Sequence, residues 1–355
     1  MRTRISLAFF VAAMLLKPGV SLADEGASPI NVKCYGSLRV QGEYVRPDNQ
    51  DALNDYWGVR DAYSRIGTKI DYSLNSVTFF AQLEIPLDTA NFKIQGPYEQ
   101  NSTASHNAGQ LTDSLRVGKI GVRGGFGTLA YGQNWLPYYN AIAYPVDMFS
   151  SYYSGFGAFT PSRRSHTAVY YSPDFAGFSF AGGYSHEGGR LKANGTDYSN
   201  RYQLTASYSF GNTILSAGLD DSGGKFNTRL YGLSLQHTVP KLRAGSLYLG
   251  AKIERFDSGL RSGFGADGDM AMNLFAGYAL GKNTFKLHLA DVENYGDRIL
   301  HLGLDHQLTP RLKLFAEYYN EQSTAAMTTR RGGAADTVWD ANGGQVFLMG
   351  GRYDF

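Results

Sequence analysis

The chain has 355 residues with 33 basic and 31 acidic side chains, a balance too near neutral to suggest a nucleic-acid partner. Its length admits two ordinary domains or one large all-β unit, and 43 glycines, 25 tyrosines and 21 phenylalanines favour strands and turns. Cys34 is the only cysteine, which excludes an intrachain disulfide and a zinc site of paired thiolates.

Residues 1–23 read as a secretory signal peptide: Arg2 and Arg4 form a basic start, Ile5 to Leu16 an apolar run of 12, and Ser21-Leu22-Ala23 a small-residue cleavage site. That run is shorter than the roughly 20 residues a helix needs to cross a bilayer, and no later stretch is apolar enough. Asn31-Val32-Lys33 before Cys34 are not the small apolar set of a lipoprotein signal. The mature chain, 24–355, is then an exported unit with 30 basic and 31 acidic side chains.

From Val32 to Phe355 the pattern is alternation with period two. Val32, Cys34, Gly36, Leu38, Val40, Gly42 and Tyr44 are apolar, small or aromatic, and the residues between them are mostly polar. The same holds for Val77, Phe79, Ala81, Leu83 and Ile85, for Leu247, Leu249, Ala251 and Ile253, for Leu312, Leu314, Ala316 and Tyr318, and for Phe347, Met349, Gly351, Tyr353 and Phe355. A helical period would scramble these sets. Strands are expected near 32–45, 61–72, 76–87, 115–124, 127–133, 165–172, 177–186, 200–210, 213–220, 227–238, 245–257, 269–280, 284–292, 297–308, 311–322 and 345–355, 16 in all. Tight turns such as Gly211-Asn212 and Thr309-Pro310 alternate with longer links at 46–60, 88–114, 134–164, 187–199, 221–226, 258–268, 293–296 and 323–344. Short turns therefore gather at one end and long loops at the other.

A soluble sandwich also alternates, but it buries its apolar face against a second sheet. Long strands with an apolar face, aromatic residues near their ends and a polar second face suit a barrel in a membrane. Hydrocarbon offers the backbone no partner, so a sheet there must close on itself. The expected fold is all-β, a closed 16-stranded antiparallel transmembrane β-barrel, too wide for side chains to fill and so enclosing water. Leu249 and Leu274 are then lipid-facing, as is Cys34. Outward Gly36 and Gly42 suit close subunit packing or strand bending equally. A change at inward Lys252 is expected to alter conductance more than stability.

Particular residues add a resemblance. Ile120-Gly121-Val122-Arg123-Gly124-Gly125-Phe126-Gly127-Thr128-Leu129 with Tyr131-Gly132-Gln133 resembles the fifth-strand hairpin of the general Gram-negative outer-membrane porins, and Tyr170-Tyr171-Ser172-Pro173-Asp174-Phe175-Ala176-Gly177-Phe178-Ser179 resembles the strand and turn after their constriction loop. Tyr63-Ser64-Arg65-Ile66-Gly67 is similar to their second strand. Phe347, Met349, Tyr353 and the terminal Phe355 are similar to their assembly signal. The resemblance implies a trimeric diffusion porin in the bacterial outer membrane that meets lipid, lipopolysaccharide and the outer-membrane assembly machinery, needs no cofactor and passes small hydrophilic solutes. It also implies that the long loop 134–164 folds inward and narrows the pore. On this resemblance Arg65 and Arg163, with Arg164 beside it, match wall arginines of the constriction, while Gln133 stands where arginine is frequent and Asp147 is the loop's single acid.

By parity the inner wall carries Arg39, Arg65, Lys69, Lys119, Arg123, Arg163, Lys252, Lys286, Lys313 and Arg352 against Glu43, Asp71, Glu84, Glu254, Glu317 and Asp354. Ten bases over six acids in a narrow mouth favour a weak anion preference. The loop aromatics Trp135, Tyr138, Tyr139, Tyr144, Phe149, Tyr152, Tyr153, Phe156 and Phe159 admit two readings: they anchor the loop to the wall, or they stack sugars or aromatic and organic acids in a substrate-preferring channel. Anchoring is the simpler.

Other signals point nowhere. Gly263-Phe264-Gly265-Ala266-Asp267-Gly268 spells a dinucleotide fingerprint but lies between antiparallel strands with no helix after it, and Asp267 and Asp269 lack the remaining ligands of a calcium loop. The seven histidines form no metal-ligand spacing and read as surface or lumen residues, with His301 and His306 on opposite faces. An outer-membrane barrel enzyme, the other class of function, finds no convincing Ser, His and acid set.

Overall fold

The computed structural model describes residues 29–51, 54–94, 115–157, 159–160, 162–186, 200–224, 226–323, 325–327 and 342–355. The expected leader, 1–23, lies outside them, as do the link 187–199 and most of 88–114 and 323–344. The described residues form 17 antiparallel strand segments in one sheet. They are β1 (Ile30–Pro47), β2 (Tyr56–Asp61), β3 (Ser64–Leu74), β4 (Val77–Leu87), β5 (Val117–Gly124), β6 (Gly127–Trp135), β7 (Arg163–Tyr171), β8 (Phe178–Ser185) and β9 (Arg201–Phe210). There follow β10 (Thr213–Gly223), β11 (Thr228–Leu242), β12 (Gly245–Asp257), β13 (Met270–Leu280), β14 (Asn283–Val292), β15 (Gly296–Gln307), β16 (Leu312–Glu321) and β17 (Gly344–Asp354).

Apart from β2 and β3, which do not pair with each other, each segment pairs with the next in sequence, and β17 returns to β1, so the sheet closes. β2 and β3 both lie along β1: Val40 to Val45 oppose β2 and Ile30 to Ser37 oppose β3. They are one wall strand broken at Ala62 and Tyr63, and the barrel therefore has 16 strands. The expected link 46–60 is thus shorter than the alternation suggested, because 56–60 is already in the wall. At the break Tyr63 takes a φ of 68°, which spoils the period-two pattern locally. The Asp61 carboxylate closes the gap by accepting from the Ser64 amide at 2.8 Å and the Thr89 hydroxyl at 2.7 Å.

Alternation sorts the two faces as the hydrocarbon argument requires. On β13, Ala271, Asn273 and Phe275 are buried while Met272 and Leu274 are exposed, and Leu249, Leu287, Leu302 and Met349 share that outer face. Cys34 is exposed there too. The inner face is not uniformly polar. Leu230, Phe256, Phe275, Phe315, Val346 and Leu348 point inward and are buried; Phe275 clusters with Val146 and Phe149, and the others with Tyr138, Ile142, Tyr152, Tyr153 and Phe156, all of the segment after β6. The core of this barrel lies between its wall and that segment.

The last strand ends at the seam. Phe347, Met349 and Tyr353 are exposed on the outer face, and Phe355 exchanges backbone hydrogen bonds with Gly36 at 3.0 and 3.1 Å. A Cβ on Gly36 would stand 2.3 Å from the Phe355 ring, so glycine there gives the terminal aromatic its seat.

Candidate functional site

Between β6 and β7 the chain leaves the wall at Leu136 and returns at Ser162, whose carbonyl accepts from the Leu136 amide at 3.0 Å. A single π-helical turn, Tyr139–Ala143, and a 3-10 turn, Tyr144–Val146, start the excursion. Backbone groups in such a segment need partners, and inward side chains supply them. Gln203 on β9 accepts from the Tyr138 amide at 3.0 Å, Ser234 on β11 donates to the Ala141 carbonyl at 2.7 Å and Tyr248 on β12 donates to the Pro145 carbonyl at 2.9 Å. Further on, Glu317 on β16 accepts from the Ser150 amide at 3.0 Å and Gln41 on β1 from the Tyr152 amide at 2.9 Å. The segment then doubles back: Lys252 donates to the Gly157 carbonyl at 2.7 Å and Thr160 to Asp220 on β10 at 2.6 Å. Every one of these wall groups lies on the polar face, so the loop is inside.

This course divides the loop aromatics. Tyr138, Phe149, Tyr152, Tyr153, Phe156 and Phe159 are buried against the wall, as anchoring requires. Trp135 and Tyr144 instead line the open lumen, with Tyr144 52% exposed. Tyr139 links them, its ring 5.1 Å from Trp135 and 6.4 Å from Tyr144.

Asp147, the loop's one acid among the described residues, has both oxygens engaged by the loop itself: the Tyr139 hydroxyl donates to one at 2.5 Å and the Ser154 hydroxyl to the other. Burial, reinforced by this adjacent carboxylate, holds the Tyr139 phenol well above its ordinary range, so it remains a donor. The acid fastens the loop as well as facing the lumen.

Opposite the loop is a cavity of about 1040 Å³ lined by Arg39, Arg65, Lys119, Gln133, Asp147 and Arg163 from the expected constriction set, joined by Arg116, Lys313 and Arg352. Seven bases thus face one acid. Their placement is unusual for a sheet. Lys313 on β16 is directly opposite Arg352 on β17, which is directly opposite Arg39 on β1, and like charges so placed oppose one another. Partial relief comes from below: Lys313 reaches Asp305 at 2.7 Å, Arg352 reaches Asp354 at 2.8 Å, and Glu84 holds Arg116 at 2.6 Å and Arg65 at 3.8 Å. The guanidinium of Arg163 lies 4.4 Å over the Trp135 ring and that of Arg116 5.5 Å from it, so one indole fixes two cations at the root of the loop.

The remaining expected members are elsewhere. Lys69 lies over Tyr35 at 5.2 Å, Arg123 pairs with Asp71 at 2.9 Å near the short-turn end, and Arg164 on β7 pairs across from Asn134; none lines the cavity. Lys252 and Lys286 are inward, yet the loop covers them. Lys252 is ion-paired with Glu254 with both side chains fully buried, and Lys286 meets Asp305 at 2.7 Å. His288 and His301 are buried as well, which corrects their reading as surface or lumen groups. Phe149 stacks on His301 with ring centres 3.5 Å apart, and His301 Nε2 is 2.8 Å from Glu317. Arg116 escaped the parity count because it lies one residue before β5 begins, where alternation does not yet hold.

The sequence model for Gram-negative porins matches residues 7–326. The chain belongs to that family. It is accordingly a porin of the outer membrane, a water-filled channel for diffusion of small solutes. Solved structures share the fold. The chain is 17% identical to the anion-selective porin from Comamonas acidovorans, with a TM-score of 0.67 over 92% of this chain and 100% of that one. OmpT of Vibrio cholerae is 15% identical at 0.62, covering 93% and 99%, and a mutant porin of Rh. blastica is 16% identical at 0.61, covering 92% and 100%. No curated protein matches the chain.

Proposed function

We propose that this porin prefers anions and that Arg39, Arg65, Arg116, Lys119, Arg163, Lys313 and Arg352 set the preference. The observation that carries the reading is the lumen surface itself, where these seven bases meet one acid, Asp147. A charge excess on low-dielectric walls raises the local concentration of the opposite ion even when the whole chain is near neutral. The solved Comamonas acidovorans porin named anion-selective has the same fold, which supports the reading. Reversal potentials across a planar bilayer in a KCl gradient test it, with chloride expected to be the more permeant ion. A clear cation preference would falsify the proposal.

The same reading takes the protein as a channel without enzymatic chemistry, since the acids beside the lumen, Glu84, Asp305 and Asp354, are engaged in ion pairs. A leader at 1–23 and a homotrimer in lipid and lipopolysaccharide, inserted by the assembly machinery through Phe347, Met349, Tyr353 and Phe355, belong to this proposal by family. A preference for sugars or aromatic acids would rest on Trp135 and Tyr144, the least buried of the loop aromatics that line the cavity.

A further inference from the structure

The inner wall under the loop contains glycines where a water-facing wall would carry polar side chains. Gly183 on β8, Gly218 on β10, Gly232 on β11, Gly250 on β12 and Gly303 on β15 have inward parity, and the loop meets them in chain order. A Cβ on Gly183 would stand 3.2 Å from Pro137, one on Gly218 2.9 Å from the Tyr138 ring, and one on Gly232 2.1 Å from the Tyr138 hydroxyl and 2.8 Å from Ile142. Next along, a Cβ on Gly250 would lie 2.4 Å from the Pro145 carbonyl oxygen, and one on Gly303 2.8 Å from Phe149. All but the first lie under 3.0 Å, closer than a Cβ atom approaches any heavy atom without something shifting. Gly218 and Gly232 are also directly opposite in register, so together they open one pit two strands wide, and Tyr138 fills it.

From this we infer that the inward glycines, Gly218 and Gly232 foremost, are positioning residues that hold the loop back against the wall and thereby set the bore of the pore. Two features make the seat decisive. The hydrogen bonds that Gln203 accepts from, and Ser234 and Tyr248 donate to, the loop backbone fix its course along the wall, so a side chain added beneath cannot be avoided by sliding sideways. The opposite surface of the loop, with Tyr144 and Asp147, faces the cavity. Material inserted on the wall side must therefore displace the loop toward the cations across the lumen. Gly42, which faces outward and has nothing within 4 Å of an added Cβ, has no such coupling.

The test is single-channel conductance in planar bilayers of the full porin and its variants, each first shown to migrate as a folded barrel before heating. Gly232→Ala is expected to lower conductance and reduce the largest neutral sugar that passes in liposome swelling. Adding Tyr138→Phe, which removes the hydroxyl nearest the new methyl, should recover part of that loss, while Gly42→Ala should leave conductance as in the wild type. Should Gly232→Ala fail to fold, the milder Gly218→Ala reads the same quantity with the same expected fall. Unchanged or raised conductance in the glycine variant, or a loss in Gly232→Ala that Tyr138→Phe does not relieve, overturns the inference. Because it rests on the channel reading, the wild type is the arbiter: no conducting steps from it would sink that reading, whereas normal wild-type steps with an indifferent glycine variant sink this one alone.

Discussion

Two stretches of the same inner wall meet opposite fates. From β10 to Glu317 on β16 the loop lies on the wall, side chains are buried, and charges are matched: Lys252 with Glu254, Lys286 with Asp305, His301 with Glu317. Around the cavity, on the parts of β16, β17, β1, β3 and β5 that the loop leaves uncovered, cations outnumber their partners, with Lys313, Arg352 and the more buried Arg39 set side by side. The physical rule is the same in both places. Where a side chain is dry, an unmatched charge is too costly and pairing is enforced. Where water reaches, mismatch is tolerated and becomes available for attracting permeant ions. On the proposed function, ion preference then belongs to the open wall, and inward charges under the loop are expected to contribute little to it.

The contrast is broken most severely at Lys252. Lys252→Ala leaves Glu254 buried beneath the loop without its cation, and such truncation costs about 3–5 kcal/mol; urea unfolding of the barrel in liposomes is expected to show it. The loop also loses its bond at Gly157. Lys313→Ala should cost clearly less, because its partner Asp305 keeps Lys286. Equal losses at the two lysines would mean that the covered and open walls do not differ in dielectric.

That pair also marks what the sequence can and cannot reveal. Lys252 and Lys313 have the same parity, the same strand context and each an acid nearby in the chain or across it, and by local pattern they are indistinguishable. The barrel was legible because lipid and water impose period two on every strand, and the hairpin motifs made the family recognisable. The path of the loop was not, because it depends on contacts between residues far apart, such as Tyr138 with Gly232 and Ser150 with Glu317. A trace of it existed in the inward glycines, which interrupt rows that should be polar. Arg116 was hidden by a different cause, since parity ends where the strand does.

A middle-sized effect, on selectivity and not on folding, is expected at Arg352. Arg352→Gln removes the centre of the cation row and its pair with Asp354. Relief of the two opposed cations is worth about 0.2–1 kcal/mol each and offsets the loss of a half-exposed ion pair worth about 0–1 kcal/mol, so net stability should hardly change. The lumen meanwhile loses one positive charge and leaves Asp354 unneutralised. The chloride preference measured by reversal potential should fall further for Arg352→Gln than for Lys286→Gln, whose charge lies under Phe149. The reverse order would show that the covered wall does reach the permeating ion.

The smallest effect is expected at Tyr144, the loop aromatic that belongs to the open side. Its ring is half exposed and its nearest aromatic neighbour, Tyr139, is 6.4 Å away, so Tyr144→Ala removes little packing and should change stability by about 0.5 kcal/mol or less. Ion conductance should rise slightly as the bore widens. Benzoate added to the wild-type channel separates the two readings of this residue: a plain diffusion pore gives the same conductance in benzoate before and after the substitution, apart from that widening, whereas a stacking surface gives current blocking in the wild type that vanishes with the ring. Arg163 and Arg116, held on Trp135 at the other end of the same aromatic row, would supply the charge for such a ligand, so blocking by benzoate with none by a neutral arene of similar size would place the open wall's cations and its one exposed tyrosine in a single function.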